Sequence, residues 1–159
     1  MDNKKMKILI LMPLLLIAFT FCGIYYFTNY IENKQMENTV VKIAIYPNDY
    51  YKDDYVFTLL KDGTIIIQAG TKRGNSNIAL KWGAKKSTIK LTEAQQKELG
   101  IMVDNLTKTP PLPEDVIIGD CTRFSILYNG KILRYDSNDS KVLELHTWLE
   151  KISPMVIEW

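Results

Sequence analysis

The chain has 159 residues, with 20 Lys and Arg against 18 Asp and Glu and a formal net charge of +2. That length fits one ordinary domain beside a short appendage. The near balance of charge excludes the strongly basic surface of a nucleic-acid binder, and no nucleotide, metal or cofactor signature stands out, so neither nucleic acid nor a cofactor is expected.

Lys4, Lys5 and Lys7 open the chain against Asp2, and Ile8 to Ile31 then runs 24 residues without a charge. A helix of that length rises ~36 Å, enough to cross a hydrocarbon core of about 30 Å. Pro13 is tolerable because membrane helices accommodate kinks. Tyr25, Tyr26, Phe27 and Tyr30 mark the distal headgroup level, and the lysines mark the cytoplasmic one. The reading is a single-pass signal-anchor. Residues 1–7 lie in the cytoplasm, a transmembrane helix spans 8–31, a tether covers 32–40, and an extracytoplasmic α+β domain occupies 41–159 outside the cell membrane.

Two alternatives accompany a retained anchor. Cleavage by a signal peptidase would use Thr20-Phe21-Cys22, a poor match to the A-x-A-like pattern of such sites. Lipid attachment at Cys22 would follow Phe19, Thr20 and Phe21, where lipoprotein signals resemble one another in having a small residue.

From Val41 the pattern turns to strands. Val41 to Ile45 alternates loosely, Asn48 to Asp54 forms a polar loop, and Tyr55 to Leu60 and Ile65 to Ile67 flank Asp62-Gly63. Aspartate-glycine tolerates the positive φ that tight hairpins demand, so these two runs form a hairpin. Gly70 to Gly83 reads as a loop holding a short strand around Ile78 to Trp82, and Ser87 to Leu91 as a brief extended piece. Thr92-Glu93-Ala94-Gln95 has the form of a capping box. The helix it opens runs to about Leu106, with Gln95, Leu99, Met102, Val103 and Leu106 on one face and Ile101 pointing away.

Thr109 to Pro113 is an extended connector, because each proline restricts the residue before it. Val116 to Ile118 and Thr122 to Tyr128 read as extended. Asn129-Gly130 then turns the chain into Lys131 to Tyr135, the strongest hairpin signal present. Asp139 or Ser140 caps a second helix whose Val142, Leu145, Leu149 and Ile152 face the core. Pro154 closes it, and Met155 to Ile157 is read as a last strand. The expected fold is α+β: a small antiparallel sheet with two helices packed on one face.

Four features are candidates for function. Lys72, Arg73, Lys81, Lys85, Lys86 and Lys90 stand between Gly63 and Leu91 without an acid, a segment suited to an anionic envelope polymer, lipid headgroups or an acidic protein. Tyr50 and Tyr51 beside Asp53 and Asp54 combine apolar area with polar handles, as interfaces do. The same acids lack the spacing of a calcium loop. Cys121 has no partner in its own domain, since Cys22 lies in the apolar run. With His146, the only histidine, it is the sole candidate for a nucleophile and base. The leading expectation is a non-catalytic, membrane-anchored binding module for a protein or anionic envelope partner. A hydrolase or thiol enzyme using Cys121 and His146, and an inhibitor or immunity-type protein, are the alternatives.

Overall fold

The computed structural model describes residues 17, 19–26, 37–47, 52–71, 78, 80, 83–113 and 123–157. They fall into two compact units, Met1–Asn38 and Thr39–Trp159. In the first, residues 17 and 19–26 are helical, and the Thr20 hydroxyl donates to the Ile17 carbonyl at 2.8 Å. Phe19, Phe21, Ile24, Tyr25 and Tyr26 are all exposed. Among the described residues no helix is long and apolar enough to cross a membrane. The remainder of the predicted 8–31 span lies outside the described residues.

The second unit is an α+β domain built on a six-stranded antiparallel sheet. Its strands are β1 (Thr39–Tyr46), β2 (Asp54–Leu60), β3 (Thr64–Gly70), β4 (Lys85–Lys90), β5 (Arg123–Tyr128) and β6 (Lys131–Asp136), in the spatial order β4-β3-β2-β1-β5-β6. Helix α1 is Glu93–Thr107 and helix α2 is Ser140–Ile152.

Local chemistry accounts for most of these elements. The β2–β3 turn places Gly63 at φ 79° and joins its N–H to the Leu60 carbonyl at 2.9 Å. The β5–β6 turn holds both Asn129 and Gly130 at positive φ, 49° and 74°, as a two-residue hairpin requires. The capping box of α1 forms in full: Thr92 Oγ1 accepts from the Gln95 N–H at 3.2 Å, and the Thr92 N–H donates to Gln95 Oε1 at 2.9 Å. Asp139 caps α2 by accepting from the Lys141 N–H at 2.8 Å.

Side chains alternate across the sheet, and one set meets the helices. Ile43, Phe57, Ile67 and Ile126 lie opposite one another across neighbouring strands. They share a core with Leu99, Val103 and Leu106 of α1 and Val142, Leu145 and Leu149 of α2. The residues one step along each strand turn the other way, where Ala44, Tyr46 and Val56 bury Ile78 in a second, smaller cluster. The helices are also tied together by Lys141, whose ammonium donates to the Asn105 carbonyl at 3.2 Å and to Thr109 Oγ1 at 2.8 Å. Helix α1 has no basic residue in its own last turn. Lys141 supplies from α2 the cation that the negative end of that helix dipole favours.

Two expectations are corrected here. The extended piece expected at Ser87 to Leu91 is a full strand that starts at Lys85 and forms one edge of the sheet. Lysine is a weak strand former and only one face of β4 reaches the core, so periodicity understates it. Met155 to Ile157 is not a strand. The Tyr55 hydroxyl donates to the Val156 carbonyl at 3.1 Å and Ile157 is buried in the core, so the segment is held by a side chain instead of a ladder. Of the strand expected at Ile78 to Trp82, Ile78 and Leu80 are described, and Leu80 makes an isolated bridge. Residues 116–118 lie outside the described residues.

The β2–β3 tip docks on the start of α1. The Leu91 N–H donates to the Gly63 carbonyl at 3.0 Å and Gln96 Nε2 donates to the Leu91 carbonyl at 3.2 Å. A Cβ on Gly63 would stand 2.2 Å from Gln96 Nε2. Gly63→Ala should therefore cost about 2 kcal/mol, from the left-handed backbone and the displaced glutamine together. A urea midpoint matching wild type would contradict this account.

Candidate interaction surface

The sheet brings the two predicted contact segments together. Lys85 opens β4 opposite Ala69, and Asp54 opens β2 opposite Gly70. The antiparallel register therefore puts the acidic loop end and the basic strand at one corner. There Lys85 Nζ lies 3.8 Å from Asp53 Oδ2. At the other end of β4, Lys90 Nζ lies 3.5 Å from Asp62 Oδ2 and also donates to the Asp62 carbonyl. The Asp62 carboxyl is held below its usual range, chiefly because it accepts hydrogen bonds from Thr64, with Lys90 adding. Its contact with the Thr64 N–H is 2.8 Å. Lys85, Lys86 and Lys90 are all exposed. Exposed ion pairs of this kind contribute little to stability, so the lysines remain open to exchange partners. Lys72, Arg73, Lys81, Tyr50 and Tyr51 lie outside the described residues.

The face away from the helices carries further charge that the linear sequence does not group. Tyr46, Arg123 and Asp136 are neighbours across β1, β5 and β6, and Ser125 stands between Ala44 and Arg134. Burial pushes the Tyr46 phenol up to about 12, with the Asp54 carboxylate adding to the shift and Arg134 opposing it. Lys42 lies on the same face, opposite Thr58 and Leu127. These positions are far apart in the chain. The available signal was their alternation with core residues in three separate strands.

His146 belongs to the core. It is 1% exposed, and its Nδ1 lies 3.6 Å from Glu150 Oε2 one helical turn on. Burial lowers its pKa to about 4, which leaves the imidazole a weak base for chemistry at neutral pH. Cys121 lies outside the described residues. Among the described residues no three His, Cys, Asp or Glu side chains gather as metal ligands.

Tyr135 is also buried, and its hydroxyl has no hydrogen-bond partner among the described residues. Burial raises its pKa, with Asp139 adding. Removing the hydroxyl deletes a desolvated polar group without leaving a partner behind. Tyr135→Phe should be neutral or stabilising by about 1 kcal/mol. A fall in melting temperature would mean that the hydroxyl has a partner in solution.

No protein-family model matches the chain, and no curated protein matches it. The surface must be read from its own geometry.

Proposed function

We propose that the chain is a membrane-anchored, non-catalytic binding module whose domain stands outside the cytoplasm and contacts an anionic protein or envelope component. The observation that carries this reading is the edge strand β4, where Lys85, Lys86 and Lys90 are exposed along one border of the sheet. Asp53 and Asp62 stand beside two of them without burying them. The anchor reading draws on the 24-residue uncharged run and its basic start. The exposed rings of Phe19, Phe21, Tyr25 and Tyr26 support it, as an apolar helical surface of this kind calls for a lipid or protein cover.

Changing Lys81, Lys85, Lys86 and Lys90 to glutamine should weaken capture of the partner from detergent-extracted membranes. At about 0.2–1 kcal/mol per exposed charge pair, four pairs amount to roughly 1–4 kcal/mol, a several-fold to several-hundred-fold loss. Unchanged capture removes the basic strand as the contact. Capture of a single enzyme would assign the surface to an inhibitor or immunity-type role. N-terminal sequencing of the protein from membranes tests the anchor, for which a start at Cys22 or Gly23 is the contrary result.

A further inference from the structure

We propose that the outer edge of β4 receives an extended acidic segment of a partner polypeptide as a seventh strand, an inference that rests on reading the basic strand as the contact surface. β4 ends the sheet, and among the described residues no strand pairs with its second edge. The Leu91 N–H donates to the Gly63 carbonyl, and that pair continues the register in which Lys90 faces Thr64 and Ile89 faces Ile65. Directly opposed residues that exchange hydrogen bonds alternate along an antiparallel ladder with residues that do not. Lys85, Ser87 and Ile89 therefore bond to β3. The backbone N–H and C=O groups of Lys86, Thr88 and Lys90 point outward.

The same three residues carry their side chains on the face away from the helices, because Ile89 is the β4 residue packed on the helix-side core. Two lysines thus flank a row of open donors and acceptors. The charge of the strand selects among occupants. A second copy of β4 would set lysine against lysine, and like charges in opposed positions are unfavourable. An acidic strand would set carboxylates there instead, taking over at Lys90 the exposed contact that Asp62 now makes at 3.5 Å. Edge lysines discourage indiscriminate pairing. On this reading they also set the choice of partner: backbone bonds supply the affinity and charge supplies the discrimination.

The test uses the full chain in detergent and three peptides. One alternates glutamate with valine, the second is its glutamine counterpart, and the third keeps the glutamates but carries methyl groups on alternate backbone nitrogens. The first should bind and should slow hydrogen exchange at the Lys86, Thr88 and Lys90 amides by about ten-fold or more. The other two should bind at least ~10-fold more weakly. Thr88→Pro should abolish binding of the first, since it blocks the outer edge without removing a bond to β3. If that variant does not fold, the methylated peptide decides the matter on the wild-type chain. Equal binding of the methylated and unmethylated peptides overturns strand addition and leaves a contact made by charge alone. Failure of all three peptides to bind also overturns it. The glutamine variants of the lysines decide the broader reading independently.

Discussion

Phe57→Ala should destabilise the domain by about 3–5 kcal/mol, the range for removing a large ring from a packed core. The ring is 1% exposed and stands between Ile43 and Ile67 on the central strands, on the face shared with both helices. No neighbour can close the gap cheaply, because the strands on both sides are fixed by their ladders and the helices by their own buried residues. Against a total stability of about 5–15 kcal/mol for a domain of this size, that loss is a large fraction. A urea titration monitored by tryptophan fluorescence would measure it. Val156→Ala is the control: its side chain is 82% exposed, and the change should stay within about 0.5 kcal/mol. A loss at Phe57 below about 1 kcal/mol would contradict the assignment of the core.

Mild acid should weaken the domain through His146. Burial sets the folded pKa near 4 against an ordinary value of 6.5, and this outweighs the Glu150 carboxylate, which on its own would favour the imidazolium. Because the folded value is the lower one, the unfolded chain takes up the proton first as pH falls. This contribution is complete above the unfolded pKa, is lost progressively between about pH 6.5 and 4, and levels off below the folded pKa. At about 1.4 kcal/mol per pH unit the loss across that window is at most about 3 kcal/mol, and solvent screening from the Glu150 side lowers it. His146→Met keeps an apolar side chain of similar reach and removes the titration. Melting curves from pH 7 to pH 4.5 should fall more steeply for wild type than for the variant. Parallel curves would mean that His146 is not held neutral in the folded protein.

The parts of this fold that could be read from the chain are those decided within a few residues. Gly63, Asn129 and Gly130 mark turns because their backbones must visit positive φ. Thr92 with Gln95, and Asp139, mark helix starts because orphan amides need acceptors there. The sheet-wide arrangement is set by pairings between distant segments, which local patterns do not encode. β4 was underestimated because three of its six residues are lysines, and the terminal Met155 to Ile157 was overestimated because an apolar run looks the same whether a ladder or a single tyrosine hydroxyl holds it. The same limit applies to the surface. Lys85 and Asp53 were legible as two separate candidates, and only the β2–β3–β4 register makes them neighbours. His146 was legible as the only histidine and a candidate base, but its enclosure in the core was not.

The pairing of β1 with β5 has a consequence for assembly. β2, β3 and β4 can join β1 in chain order, but the second edge of β1 finds its partner only when Arg123 to Tyr128 arrives, with Ile43 meeting Ile126. Until then the strand lined by Val41, Ile43 and Ile45 is an apolar border with open backbone groups. The slow step of folding is therefore expected to be closure of this long-range seam, and a half-made chain carries its most adhesive edge in what becomes the middle of the finished sheet.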